Sequence, residues 1–375
     1  MNDREACIIL NMIGGIGPAR MEVLVNAFGS PAEILKQSID TLCSVSGIKQ
    51  ILAQKVNGWQ DCVDYEKEMR MVEQGGVELI TRYDANYPQI LKEISDPPLC
   101  LYIRGHLPEC CDRSLAIVGS RRISSYGHKM AKHLSESAAY NGWAVISGLA
   151  YGIDSVAHQA CIDAGGVTIG VLGGGLARIH PQEHIPLARQ MVEKGAVISE
   201  FPMTYPPCRR SFPMRNRIVS GLAQGTIVVE AGLNSGSLIT ANQALEQGRI
   251  VFAVPGQADA PQSRGCNQLI RQGAKLVENF DDILDEFEFL PGMREVANQT
   301  AAIDFEMNPE KKANTNLKLT QDEDMILAAV KKLGESSLDQ LATSTGLSPG
   351  KLLSSLMKLE VMRQIRQLPG KKYKI

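Results

Sequence analysis

Several features that define familiar functional classes are missing from these 375 residues. The nine cysteines include no C-x-x-C pair, so neither a zinc site nor a disulfide framework is indicated, and the thiols fit a reducing compartment. No stretch approaches the roughly 18 uninterrupted apolar residues of a membrane span. The first ten residues place acids ahead of a short apolar run, unlike a signal peptide. We therefore expect a cytoplasmic protein without a membrane partner.

Sequence signatures of catalysis and of mononucleotide binding are also missing. There is no P-loop, and no Ser-His-Asp or Cys-His arrangement can be recognised. Residues 180–184 match the H-x-x-E-H zinc pattern, but they contain a proline and have no evident third ligand, so we expect no metal. The glycine run 173–175 opens like a dinucleotide fingerprint, yet Arg178 stands where the third small residue belongs. The sequence thus predicts no cofactor.

Charge is nearly balanced overall, at −2, but it is segregated along the chain. Residues 281–324 hold twelve acidic and four basic side chains, whereas residues 351–375 hold seven basic and one acidic. Residues 209–217, RRSFPMRNR, carry four arginines and no acid. Because the local field decides where an anion binds, the small net charge does not exclude a nucleic-acid partner.

Apolar runs alternate with stretches of helical length across residues 112–290. The runs are continuous, which is typical of strands buried on both faces of a parallel sheet. Alternation of such strands with helices predicts an α/β domain, a Rossmann-like doubly wound and mostly parallel sheet. The predicted strands are 115–118, 144–147, 167–172, 196–199, 226–229, 250–254 and 274–277.

The N-terminal region, residues 1–75, reads as short helices joined by glycine turns at 14–18 and 46–48. This pattern is typical of a helix-hairpin-helix or SAM-like domain, whose exposed N–H groups can hold a DNA phosphate. The same turns could equally belong to αα-hairpins that only pack. Residues 76–111 contain prolines and short β-like runs, which indicates a connector with edge strands.

The C-terminal region divides into a linker and a small domain. Residues 291–319 lose periodicity and gain Asn, Lys and Glu, which indicates a linker. Residues 320–375 read as three helices followed by two short strands around Pro369-Gly370. This arrangement resembles a winged helix with residues 348–359 in the recognition position.

The predicted strand 115–118 runs into Gly119-Ser120-Arg121-Arg122 before a helix begins. Helix N-termini favour anions, and guanidinium groups are planar phosphate donors. Ligands of doubly wound sheets bind beyond the carboxyl ends of the strands, where further polar turns occur in this chain. Those turns contain Ser147, Gly148, Gly174, Ser235, Gly236 and Ser237.

Residues 209–217 add an aromatic ring to this arginine-rich set. Phe212 lies between two arginine pairs, and arginines beside an aromatic ring are the elements of a single-strand groove. The ring could instead anchor the loop into the core, and both interpretations stay open.

Many of these motifs occur in the order found in one family. YDANYPQILKEISDPPLCLYIRG, AIVGSRR, ISGLAYGIDSVAH, GVLGGGL, FPMRNRIVSGL and GCNQLIRQGA span residues 83–280 and closely resemble the DNA processing protein A (DprA, or Smf) family. The resemblance implies a non-catalytic, homodimeric protein that binds single-stranded DNA. It also implies a role in loading RecA onto incoming DNA during natural transformation and in helping RecA pass single-strand-binding protein.

The resemblance also implies site residues. The segment around 267–274 resembles the dimer-forming end, and we assign Asn267, Leu269 and Ile270 to it. Many members carry Tyr-Pro-Lys where this chain has His-Pro-Gln at 180–182, so the lysine contact is lost or moved to Arg178. The implied DNA-binding positions are Gly119, Ser120, Arg121, Arg122, Ser147, Gly148, Gly174, Arg178, Phe212, Arg215, Asn216, Arg217, Ser235, Gly236 and Ser237.

An enzymatic alternative remains open. Related Rossmann-like proteins hydrolyse nucleoside monophosphates and share a glycine-rich rim at the sheet edge. They need a carboxylate to activate water or donate a proton just after a glycine turn. In this chain Thr240 stands at the comparable position. We therefore expect binding without catalysis, with an N-glycosidase as the second hypothesis.

Overall fold

The computed structural model describes residues 1–107, 113–288, 321–334 and 336–347, together with 351–352, 355–356, 359, 365–368 and 372–374. The chain forms two compact units, Met1–Met293 and Arg294–Ile375. The predicted linker 291–319 lies outside the described residues. Within the described residues, no helix has both the length and the apolar character needed to cross a bilayer.

Short helices fill the first 75 residues, as predicted. Asn2 and Glu5 form a reciprocal capping box at the start of the first helix, which satisfies backbone N–H groups that the helix leaves unpaired. Gly15, with φ +105°, makes the first predicted turn. The helices are α1 Asp3–Met12, α2 Pro18–Phe28, α3 Pro31–Ile34, α4 Ile39–Cys43, α5 Gln50–Asn57, α6 Trp59–Cys62 and α7 Tyr65–Gln74.

A nine-stranded sheet forms the centre of the first unit. Its strands are β1 Val77–Thr81, β2 Cys100–Gly105, β3 Ser114–Val118, β4 Ala144–Ser147, β5 Thr168–Val171, β6 Ala196–Ser199, β7 Gly225–Val228, β8 Ile250–Ala253 and β9 Lys275–Leu276. They lie in the order β1-β2-β6-β5-β4-β3-β7-β8-β9. The pairs β1–β2 and β2–β6 are antiparallel and all the other neighbouring pairs are parallel, which confirms the doubly wound, mostly parallel prediction.

Strand β3 is buried on both faces, which explains its continuous apolar sequence. Leu115 and Ile117 belong to one core cluster, while Ala116 and Val118 belong to another on the opposite face. Fully burying an aliphatic side chain contributes about 1.5–3 kcal/mol, so this strand is a stable base for the turn that follows it. The helices of this unit after α7 are α8 Gln89–Lys92, α9 Ser125–Tyr140, α10 Ile153–Asp163, α11 Ile185–Met191, α12 Ser211–Gly221, α13 Gly236–Glu246, α14 Arg264–Arg271 and α15 Asp281–Glu288, with a 3₁₀ turn at Gln182–His184.

The second unit is a winged-helix domain, as predicted. Strand β10 Ser336–Ser337 lies between helices Gln321–Leu333 and Leu338–Thr345. Strands β11 Arg366–Leu368 and β12 Lys372–Lys374 follow, and the three strands form an antiparallel sheet in the order β10-β12-β11. The predicted turn at 369–370 and most of the predicted helix 348–359 lie outside the described residues.

Candidate nucleic-acid interface

A cavity of about 540 Å³ opens where the strand order of the large sheet reverses, beside β3 and its neighbour β7. Parallel strands and their following helices diverge at such a switch point, which leaves a crevice beyond their carboxyl ends. Eleven of the fifteen predicted positions line this cavity, namely Gly119, Ser120, Arg121, Arg122, Gly148, Phe212, Arg215, Asn216, Ser235, Gly236 and Ser237. Asp154, Arg209 and Thr240, which are outside the predicted set, line it as well.

The turn after β3 holds two arginines at the mouth of the cavity. The Ser120 hydroxyl donates to the carbonyl oxygen of Arg122 at 2.7 Å and accepts from its N–H at 3.1 Å. The sequence had suggested unpaired N–H groups at this turn. The Ser120 N–H instead donates to the carbonyl of Glu230 at 2.7 Å, so it is not free to bind a phosphate. The turn is therefore fixed by internal bonds, and the exposed side chains of Arg121 and Arg122 are left to meet a ligand.

Arg215 lies buried at the cavity wall. Its guanidinium donates to the carbonyl oxygens of Gly148 and Val171, and its Nε donates to Asn216 Oδ1 at 3.2 Å. A Cβ at Gly148 would lie 2.5 Å from the guanidinium, so only glycine admits the arginine here. Burial lowers the pKa of Arg215 to about 10, which leaves it protonated at neutral pH.

Asp154 balances that buried charge. Its Oδ2 accepts the N–H groups of Gly148 and Ala150 at 3.1 and 3.4 Å. Burial raises the pKa of Asp154, while the positive charge of Arg215 and the two N–H donors lower it. The N–H groups of Gly148 and Ala150 are thus already occupied by a carboxylate, which leaves these two closed to a phosphate.

Phe212 is half-buried and also lines the cavity, one turn before Arg215 on α12. Its ring packs near Gly173 and lies 6.1 Å from the His180 ring, centroid to centroid. The guanidinium carbon of Arg121 lies 5.4 Å from the Phe212 ring centroid, a cation–π geometry. The ring is therefore anchored and also lines the cavity, so both interpretations of its role are compatible with its position.

Three of the helices that begin at this edge of the sheet, α9, α10 and α13, differ in the charge at their N-termini. The first turn of α9 is capped by Ser124, whose own N–H donates to the Glu230 carboxylate at 3.0 Å. The α10 end carries Asp154. The α13 end is capped by the neutral hydroxyl of Ser235, which lies 2.7 Å from that of Ser237. Among these three, α13 directs an uncompensated positive helix end into the cavity.

Four predicted positions, Ser147, Gly174, Arg178 and Arg217, do not line the cavity. Ser147 is buried, and its hydroxyl donates to the Ile117 carbonyl at 2.6 Å, which joins β4 to β3. Gly174 is buried beneath Pro207, where an added Cβ would lie 3.0 Å from the proline nitrogen. Arg178 is exposed but does not line the cavity. Gly174 and Ser147 thus serve the packing of the sheet and its loops. Glycine and serine also form phosphate-binding turns, so residue type alone did not separate the two roles.

Arg217 is corrected most strongly. Its side chain is only 5% exposed; Nε pairs with Asp96 Oδ2 at 2.9 Å and Nη2 with Glu200 Oε2 at 2.5 Å. Positions two apart on a helix face nearly opposite sides, at about 200°, so Arg215 and Arg217 cannot both reach the cavity. Arg209, outside the predicted set, lines the cavity instead, and its place in the four-arginine segment was the available signal.

The predicted dimer positions mostly have internal roles. Leu269 is 4% exposed and belongs to a core cluster, against which the partly buried Ile270 packs. The Asn267 amide accepts from the Gly256 N–H at 3.2 Å and donates to its carbonyl at 3.0 Å. Leu269 is therefore mostly buried, although it also lines a surface pocket with Leu233 and Leu238, and Asn267 is engaged within its own chain. Their assignment to a dimer contact stays a prediction.

The fold and the cavity define a Rossmann-like protein with a cationic, aromatic-lined switch-point cavity. Comparison with known families assigns the parts. Residues 78–288 match the model described as DNA recombination-mediator protein A, residues 310–371 the DprA winged helix domain, and residues 8–56 the SAM-like helix-hairpin-helix tandem. The chain belongs to the DNA recombination-mediator protein A family, also known as DprA or Smf, as its motifs had indicated.

Individual relatives support the assignment. Protein Smf of Escherichia coli K12 is 39% identical over 315 residues, which cover 81% of this chain and 79% of the relative. DNA processing protein DprA of Bacillus subtilis 168 is 45% identical over 212 residues, covering 56% and 71%. The X-ray structure of DprA from Streptococcus pneumoniae has a TM-score of 0.65 at 32% identity, covering 77% of this chain and 99% of that one. DNA processing protein A from Helicobacter pylori, studied for its single-stranded DNA binding mode, has a TM-score of 0.50 at 28% identity, covering 56% and 95%.

Proposed function

We propose that this protein binds single-stranded DNA in the switch-point cavity. The observation that carries the proposal is that Arg121, Arg122 and Arg209 surround one cavity together with Phe212 and the α13 N-terminus. The arginines and the helix end suit backbone phosphates, and the ring suits an unstacked base. The relative from Helicobacter pylori, studied for single-stranded DNA binding, supports the same ligand.

A single strand fits these features better than a duplex does. Phe212 forms part of the cavity wall, so a base must leave its stack to reach the ring. Bases in a duplex are stacked on their neighbours, and exposing one costs a few kcal/mol. The cavity should therefore discriminate by strandedness, with little dependence on sequence, because every base offers a π-face.

We further propose that this binding serves the delivery of DNA to RecA. In this role the protein acts in the cytoplasm as a homodimer, loads RecA onto incoming single strands and helps RecA pass single-strand-binding protein. Membership of the recombination-mediator family supports this role. The test is RecA-dependent strand exchange on DNA coated with single-strand-binding protein, which this protein should accelerate. Unchanged exchange would refute the mediator role without touching DNA binding.

We propose that the protein does not catalyse hydrolysis. Among the described residues that line the cavity, Asp154 is the only carboxylate, and it is buried and bonded to two backbone N–H groups. Thr240, at the position where a hydrolase would place its acid, is buried and has no ionisable group. A nucleotide in the cavity thus meets no free general acid or base. Release of free base from nucleoside monophosphates by the purified protein would favour the N-glycosidase alternative.

The direct test compares two charge reversals by fluorescence anisotropy with labelled oligothymidylate. Arg122→Glu reverses an exposed positive charge of the cavity. We expect the affinity to fall at least about tenfold, which is a loss of about 1.4 kcal/mol of binding free energy. Lys194→Glu is the control, because Lys194 precedes β6 and therefore lies at the opposite, amino edge of the parallel strands. Equal affinity of the two variants would contradict the proposed site, as would duplex bound as tightly as single strand.

A further inference from the structure

A second cavity, of about 290 Å³, lies between the first helical hairpin and the segment that follows β6. Residues 14–17 of the hairpin form one wall, and Phe201, Tyr205 and Met214 contribute to the rest. The function proposed above assigns no role to this cavity. It is nevertheless adjacent to the first one, since Pro213 lines the first cavity and Met214, the next residue of α12, lines the second.

An exposed segment connects the two cavities. Residues 204–210 are exposed except for Pro207, which is half-buried. Tyr205 lines the second cavity and Arg209 lines the first, and four residues span at most about 14 Å of extended chain. Arg209 and Arg210 are exposed on this segment, so the surface between the cavities is cationic. A flexible polyanion leaving the first cavity would find compatible charge in this direction.

The second cavity offers groups that suit a nucleotide. The Tyr205 ring stacks on Phe201 at 4.6 Å and 15°, and Tyr205 is 37% exposed, so a ring face is available for a base. Arg20 is exposed, and its Nη1 donates to the Gly15 carbonyl at 2.6 Å, which places a cation at the hairpin turn. At Gly14 an added Cβ would meet nothing within 4 Å, so the backbone of the turn is open to close approach.

One buried carboxylate in this wall also lacks a full set of partners. Glu200 lines the second cavity and is 7% exposed. Its Oε2 pairs with Arg217, but its Oε1 has no hydrogen-bond partner among the described residues. A buried acceptor left unpaired is costly, and an N–H group of a base, such as the ring N–H of thymine, is a donor that could satisfy it.

We propose that a single strand bound in the first cavity continues over residues 204–210 into the second cavity, where a base stacks on Tyr205 and a phosphate lies at the hairpin beside Arg20. This inference rests on the proposed function and extends it. The helix-hairpin-helix domain then lengthens the DNA site, in addition to packing against the sheet. Long oligonucleotides should engage both cavities, whereas short ones should fill only the first.

The chain contains a natural probe for this path. Cys208 is exposed between Tyr205 and Arg209, and hydrogen bonding with Ser211 lowers the pKa of Cys208, which favours reaction with an alkylating reagent. Cys43 is also exposed but lines neither cavity, so it is an internal reference. Each cysteine of the full-length protein is followed by peptide mass spectrometry during alkylation.

We expect oligothymidylate of about 20 nucleotides to slow alkylation of Cys208 several-fold and to leave Cys43 unchanged. Saturating oligothymidylate of about 6 nucleotides should protect Cys208 little or not at all. Equal protection by both lengths, or by neither, would overturn the extended path. Protection by duplex but not by single strand would overturn it too, because the second cavity would then belong to a different ligand.

A substitution gives the second readout. Tyr205→Ala should weaken binding of the long oligonucleotide about fivefold or more and leave that of the short one unchanged. Tyr140→Ala is the matched control, since Tyr140 is 75% exposed and lines neither cavity. If Arg122→Glu weakens both lengths while Tyr205→Ala weakens neither, the proposed function stands and the extension fails. If the unmodified protein binds neither length, the proposed function itself fails.

Discussion

Replacing Arg217 by alanine should destabilise the fold severely without changing the affinity of the folded protein for a short single strand that fills only the first cavity. The guanidinium is buried between Glu200, whose side chain is 8% exposed, and Asp96, whose side chain is 46% exposed. Removing one partner of a buried ion pair costs about 3–5 kcal/mol, because the remaining charge stays buried and unpaired. The half-exposed pair with Asp96 adds only about 0–1 kcal/mol, so nearly all of the loss comes from Glu200.

The loss should depend on pH in a defined direction. Burial raises the pKa of Glu200, and the charge of Arg217 holds it down, so removing Arg217 raises this pKa further. An acid whose pKa is higher in the folded than in the unfolded state destabilises the fold as pH rises through that interval. The cost of Arg217→Ala should thus be greatest at neutral pH and should shrink as the pH falls through the raised pKa.

Urea unfolding measured by the fluorescence of Trp143, which is buried in the sheet core, tests the stability, in a Trp59→Phe background that removes the other tryptophan. Anisotropy with oligothymidylate of about 6 nucleotides, which should fill only the first cavity, tests the binding under native conditions. Adding Glu200→Gln to Arg217→Ala should restore part of the lost stability, since the buried group is then neutral. Normal stability with weakened DNA binding would refute the reasoning, because it would return Arg217 to the DNA interface.

Three further outcomes follow from the cavity. Phe212→Ala should weaken oligothymidylate binding by about 1–3 kcal/mol while Phe212→Trp retains it; unchanged affinity in the alanine variant would leave the ring as an anchor alone. Gly148→Ala places a Cβ against the buried Arg215 guanidinium, so thermal unfolding should show a loss of about 1–3 kcal/mol, and an unaltered melting temperature would contradict that packing. The logarithm of affinity should fall linearly with the logarithm of salt concentration, and Arg122→Glu should lower the slope by about 0.7 or more, whereas Lys194→Glu should not.

Much of the fold could be predicted because its signals are local. The strands 144–147 and 196–199 were predicted with their observed bounds, since continuous apolar runs bounded by polar turns have few other structures available. The position of the cavity also followed, because ligands of doubly wound sheets bind where the strand order reverses. The order of the strands, with β3 beside β7, needed the structure, since pairing depends on residues more than 100 positions apart.

The sequence by itself determined which residue types stand at the carboxyl ends of the strands, and hence that arginines, glycines and an aromatic ring are available near one edge. Only the tertiary structure decided which of them meet solvent. Arg121 and Arg122 extend from a fixed turn. Arg217 is instead neutralised by Asp96 and Glu200, and both of these carboxylates lie outside its helix α12. The physical reason is that burial and charge pairing are set by long-range contacts, which local patterns of residue type do not encode.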